Sequence, residues 1–191
     1  MKEAHIFSLI SLYPLPQYVI VLEDDSKTHL VPIWIGVNEG NAIALEMSGE
    51  RYPRPLTHDL FVGVLGEMGV NIDKIVIADL KDNTYFARIF LTLNGNTHEI
   101  DARPSDSLAI AVRAKCPIYV EETVLEKCPV IDKPLSQDDV DSFKDDLKTM
   151  SPEEFFRKLE STPGKKKELD NIFDLRPEDD DPEQVSEDEP E

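Results

Sequence analysis

The chain has 191 residues, 40% of them hydrophobic, enough to bury one good core with room for a small appendage. Its formal charge is −19, divided unevenly: residues 1–130 carry 11 Lys/Arg against 18 Asp/Glu, and residues 131–191 carry 9 against 21. Such acidity argues against passive, charge-driven binding of nucleic acid, which needs basic surface to release counterions, but leaves room for an enzyme that grips one phosphate with a few arginines. Cys116 and Cys128, each followed by Pro, lack the spacing of a metal site or a disulfide framework and read as reduced thiols. The apolar run after His5 is broken by Ser8, Ser11 and Pro14, so it has neither the length nor the flanks of a signal peptide. No stretch approaches the ~18 apolar residues of a membrane span, and the expected location is cytoplasmic.

Ile6 to Tyr13 reads as a strand closed by Pro14, and the β-branched run Tyr18 to Glu23 as a second. Asp24 to Lys27 is a turn, and Thr28 to Ile35 is the hairpin partner. Asn38 then suits the cap of a helix over Glu39–Met47 that Gly49 ends. After a loop carrying Arg51 and Arg54, Thr57 is expected to cap a helix in which Phe61, Leu65 and Met68 recur at helical spacing, with Gly69 beyond its end. Lys74–Leu80 and Tyr85–Leu93 are strand-like on either side of Asp82-Asn83, and Asn94-Gly95, the strongest hairpin dipeptide in the chain, leads into a strand over Thr97–Ala102. Ser105 is expected to cap a helix stopped by Pro117, with a short strand at Ile118–Val120 and a helical turn or two over Glu121–Lys127. Beyond Pro129, Ser136-Gln137-Asp138-Asp139 resembles a capping box before the stripe Val140, Phe143, Leu147, and Ser151-Pro152-Glu153-Glu154 opens a helix offering Phe155, Phe156 and Leu159. The polar, Pro-containing segment from Thr162 cannot bury enough apolar area to offset its ordering entropy, and disorder is expected there.

The series Val19–Leu22, a turn, Thr28–Val31, then Ala42–Leu45 repeats as Ile89–Leu91, a turn, Thr97–Ile100, then Ala109–Val112. The expected fold class is therefore α+β: a single domain of two hairpin-plus-helix repeats on a mixed or antiparallel sheet, with a short helical extension and a disordered acidic tail. The expected divisions are 1–130 for the domain, 131–161 for the extension and 162–191 for the tail.

Two helix entrances stand out, Arg54-Pro55-Leu56-Thr57-His58-Asp59 and Asp101-Ala102-Arg103-Pro104-Ser105-Asp106. Each sets an Arg-Pro and a hydroxyl before an Asp in the first helical turn. A helix start offers unpaired N–H groups and a positive dipole end, so an adjacent Arg makes it an anion site. The plainer alternative is that Thr57 and Ser105 merely cap helices while the arginines pair with Asp59 and Asp106.

These motifs, with Pro32-Ile33-Trp34-Ile35-Gly36 before them and Pro117-Ile118-Tyr119-Val120 after, resemble the bifunctional nuclease domain family, also called the domain of unknown function 151 family, over roughly residues 5–130. Phe143–Phe155 also resembles the acidic helical extension of bacterial members. The resemblance implies an α+β domain often handled as an oligomer (a homodimer is the expected form) and a nuclease activity on DNA and RNA attributed to plant relatives. It brings no agreed catalytic mechanism.

For phosphodiester hydrolysis the residue types allow specific roles. Arg54 and Arg103 would clamp the phosphate, helped by Thr57 and Ser105, and His58 would be general acid or base. Asp59, Asp101 and Asp106 would orient His58 or hold a divalent cation, Mg²⁺ or Mn²⁺. Glu39 is a weaker candidate for the same cleft. Trp34 alternates as core rather than as a stacking platform. The alternative function is a non-catalytic module whose Arg-Pro motifs recognise a phosphorylated ligand or a protein partner, or brace the fold.

Overall fold

Strand alternation and tight turns build two three-stranded meanders, each leading into a helix. In the computed structural model, which describes residues 1–12, 15–130 and 137–160, the first unit is β1 (Lys2–Ser11), β2 (Gln17–Asp24), β3 (Leu30–Gly36) and α1 (Val37–Ser48). After α2 (Thr57–Glu67) comes the second: β4 (Asn71–Lys81), β5 (Thr84–Leu93), β6 (Asn96–Ala102) and α3 (Pro104–Ala114). β7 (Ile118–Val120), α4 (Glu122–Leu125), α5 (Gln137–Thr149) and α6 (Pro152–Glu160) complete the described chain. Tyr13-Pro14, the cap at Ser136, the side chains of Val140 and Leu159, and the tail from Thr162 lie outside the described residues.

All seven strands form one mixed sheet in the order β3-β2-β1-β7-β4-β5-β6. The meanders thus lie on either side of β7, which pairs antiparallel with β1 and parallel with β4. The repeat is a meander plus a helix, one strand longer than the hairpin plus helix expected. β1 also starts at Lys2 rather than Ile6, because Lys2–Ala4 pair with Val120–Ile118, a contact that local hydrophobicity cannot report. The two-residue turns Asp82-Asn83 and Asn94-Gly95 all have positive φ, between 47° and 80°, the left-handed geometry that matches strand twist in tight hairpins.

β2 is covered on both faces, with Val19 to Leu22 all fully buried. α1 lies close on it: a Cβ at Gly40 would sit 2.3 Å from the Tyr18 ring, so only glycine permits this approach. α5 and α6 join the same core through Phe143, Leu147, Phe155 and Phe156. Phe156 lies 6.5 Å from the half-buried Trp34 of β3 and 6.1 Å from Tyr85 of β5, ring to ring, so the extension links strands from the two halves of the sheet. Both cysteines are free thiols, Cys128 buried and Cys116 half-buried.

Candidate active site

Three helices begin around one cleft, and their starts differ from the expected caps. Pro104 excludes the helical region for the residue before it, so Arg103 itself is the extended N-cap of α3 (φ −69°, ψ 144°), Pro104 is N1 and Ser105 is N2. In α2 the N-cap is Leu56, not Thr57, because the Asp59 carboxylate accepts the Leu56 N–H at 2.8 Å. Thr57 is then N1 and His58 N2. α1 follows β3 directly with Gly36 as N-cap, one residue before the helix, so Asn38 is inside it. As a result Glu39, Asp59 and Asp106 all fall at N3, where a carboxylate complements the positive helix end. In the internal repeat Glu39 and Asp106 are equivalent positions.

The cleft has a volume of about 640 Å³, and its walls include Asn38 and Glu39 of α1, Thr57 and His58 of α2, and Arg103 and Asp106 at the start of α3. Arg103 connects the repeats. Its Nε and Nη2 donate to Asp106 at 2.7 and 3.1 Å, and Nη2 also donates to Glu39 Oε1 at 2.8 Å. Its Nη1 makes no hydrogen bond among the described residues, and the side chain is two-thirds exposed. His58 Nε2 lies 3.3 Å from Asp106 Oδ1, with the imidazole only 16% exposed. Burial works against ionisation of Asp106, but hydrogen bonds from Arg103 and His58 outweigh it and hold the carboxyl below its ordinary range.

The remaining predicted residues lie elsewhere. Arg54 is exposed, makes no ion pair among the described residues, and lines an adjoining hollow of about 200 Å³ with Arg51 and Tyr52. Leu45, Pro55 and Leu56 border both spaces. Asp59 faces that hollow and is held by Arg113, whose hydrogen bond, with that of the Leu56 N–H, lowers its pKa. Ser105 is buried and lines a third space of about 340 Å³ with Trp34 and Tyr85. Asp101 is exposed on β6 opposite Arg88, which pairs with Glu99, and is not a wall of the cleft. Among the described residues no group of three or more His, Cys, Asp or Glu side chains is disposed to hold a metal ion.

Sequence reasoning missed Arg113. Its side chain is 5% exposed, and besides Asp59 of α2 it donates to the carbonyls of Ala42 in α1 and Ala109 in α3. The bracing arginine is therefore Arg113, one residue past the apolar run Leu108–Val112, rather than Arg54 or Arg103. A cation next to such a run, where it must be buried, was the available signal.

The sequence model of the bifunctional nuclease domain matches residues 20–133. An uncharacterised protein of Mycobacterium tuberculosis is 36% identical over 164 residues, covering 81% of this chain and 98% of its own. Bifunctional nuclease 1 of Arabidopsis thaliana is 30% identical over 112 residues and that of Oryza sativa subsp. japonica 28% over 113, in each case 57% of this chain but 34% of the plant protein. No helix among the described residues is long and apolar enough to cross a membrane.

Proposed function

The chain belongs to the bifunctional nuclease domain family, and on that premise we propose that it hydrolyses phosphodiester bonds of DNA or RNA in the cleft between the three helix starts. The observation that carries this reading is the convergence of three helix N-termini on His58, Asp106, Arg103 and Glu39. First-turn residues of all three helices border the cleft, and the positive dipole end of a helix start suits a phosphate despite the acidity of the chain as a whole. Arg103 Nη1 would donate to a non-bridging phosphate oxygen and offset the charge that builds in the transition state. His58 would take the proton of the attacking water or return one to the leaving oxygen, with Asp106 fixing its ring. Arg54, with Arg51 beside it, lies one hollow away and would hold a neighbouring phosphate of the same strand.

The test is cleavage of single-stranded DNA and RNA by highly purified protein, with and without Mg²⁺ or Mn²⁺, beside H58A and R103A. Loss of a general acid–base group is expected to slow cleavage by about 10²-fold or more. Equal residual cleavage by wild type and both folded variants would sink the proposal, since a contaminant would then account for it.

A second reading is a phosphate-binding module without turnover, in which Arg103 keeps its pairing with Asp106 and Glu39 and offers an anion its remaining Nη1 donors. Saturable binding of a short oligonucleotide, lost in R103A and accompanied by no cleavage under any metal condition, would select that reading.

A further inference from the structure

The cleft between the three helix starts is longer and less polar than a phosphate alone requires. Asn38, Asn41, Ala42 and Leu45 recur at i, i+3, i+4 and i+7, so one face of α1 forms a whole wall of it. At the start of that wall Glu39 meets Arg103, whereas Leu45 lies about 9 Å further along the helix axis. Leu45, Pro55 and Leu56 also border the next hollow, which places them together at the far end and makes that end apolar. Between the two ends, one turn on from Asn38, stands the exposed Asn41. Its Oδ1 accepts the Tyr18 hydroxyl at 2.8 Å. The Tyr18 ring is in turn pressed against α1 at Gly40, where any Cβ would overlap it. Glycine inside a helix is unfavourable, and here it admits the ring that carries the hydroxyl to Asn41.

We propose that the apolar end of the cleft is a nucleobase subsite, in which Asn41 recognises the base and Tyr18 orients Asn41. This rests on the reading of the cleft as a phosphodiester site, since a phosphate at Arg103 leaves most of the space of about 640 Å³ for the rest of its nucleotide. A base is a flat body with apolar faces and polar atoms at its rim. Leu45, Pro55 and Leu56 meet the face, and Asn41 meets the rim. A free amide turns either end to a ligand, but Tyr18 holds this one by its oxygen and leaves the two Nδ2–H donors to offer. Those donors match the ring carbonyls of thymine, uracil or guanine. A purely aliphatic ligand leaves the donors unpaired, and a bare phosphate leaves the apolar end wet. A nucleotide is the ligand class that uses both ends. Asn41 thus acts on affinity for the base, and Tyr18 is a positioning residue that acts through it.

The experiment is fluorescence anisotropy of the full chain with two labelled trinucleotides whose linkages are phosphorothioates, so that turnover does not consume them. One carries a single thymine between two abasic residues, and the other is abasic throughout. Wild type is expected to hold the thymine probe about tenfold more tightly than the abasic one. N41A is expected to bring that ratio close to one while leaving affinity for the abasic probe unchanged. Y18F keeps the ring and drops only the hydroxyl, and its ratio is expected to fall between the two. Asn41 is exposed and alanine favours a helix, so N41A is expected to fold, and circular dichroism checks that it does. A wild-type ratio near one, an N41A ratio equal to that of wild type, or no binding of either probe overturns the subsite. A Y18F ratio equal to that of wild type overturns the orienting role of Tyr18. Base-dependent binding without cleavage of ordinary oligonucleotides would remove the nuclease reading alone, and cleavage with a binding ratio near one would remove the subsite alone.

Discussion

Arg113 shows how one buried cation can hold three helices. Its guanidinium satisfies a carboxylate on α2 and main-chain carbonyls on α1 and α3, a set of acceptors that a planar fork of donors can reach together. Removing it leaves Asp59 without its partner and the two carbonyls short of a donor. R113A is expected to lose about 3 kcal/mol of stability, read from urea denaturation, with R113K recovering little because a single ammonium cannot span the three acceptors. Arg103 differs although its motif looks similar. It stands in the cleft wall, mostly exposed, so R103A is expected to change the denaturation midpoint little while reducing phosphate binding or cleavage. The contrast separates a brace from a site residue by burial rather than by residue type.

At the scale of elements, the extension α5–α6 is part of the core. Phe155 is 1% exposed, with ring centroids 5.6 Å from Trp34 and 5.4 Å from Phe156. Truncation at such a site removes both the transfer energy and the packing around a cavity. F155A is expected to cost about 3–5 kcal/mol, and a loss below ~1 kcal/mol in chemical denaturation would show that α6 adds little to the fold. α6 itself starts as expected, with Ser151 Oγ accepting the Glu154 N–H and the Glu154 carboxylate accepting the Ser151 N–H. The caps of α2 and α3 fell one or two residues from the hydroxyls that advertise them. Proline geometry and the N3 carboxylate decide those starts, and both outrank a nearby Ser or Thr.

For the whole molecule, several carboxylates are ionised by design of their surroundings. Burial of Asp24 opposes its charge, yet hydrogen bonds from Ser26, the Thr28 and His29 N–H groups and Lys2 drive its pKa far below the ordinary range. Asp59 and Asp106 are lowered as well. A group whose pKa is depressed by folding contributes stability above its unfolded value, near 4, and loses that contribution as the pH falls through the folded value. Melting temperature is therefore expected to hold between pH 7 and 5 and to fall steadily below about pH 4, with D24N less stable at pH 7 and showing a shallower acid loss. A D24N curve parallel to wild type would rule out Asp24 as a source of the effect.

The sequence by itself determined the periodic and local features: strand alternation, the two-residue turns, the hairpin-and-helix core of the repeat and the positions of the Arg-Pro entrances. These follow from side-chain period and backbone sterics, which act between near neighbours. Of the wider set the sequence nominated, His58, Thr57, Arg103 and Asp106 line one cleft, since they lie at the starts of neighbouring helices. Only the tertiary structure decided that Glu39 closes the ring around Arg103, that Asp59 belongs to Arg113, and that Arg54, Asp101 and Ser105 stand outside the cleft. Those pairings join residues up to 64 positions apart, and which carboxylate a cation meets depends on how helices cross, which local pattern does not encode.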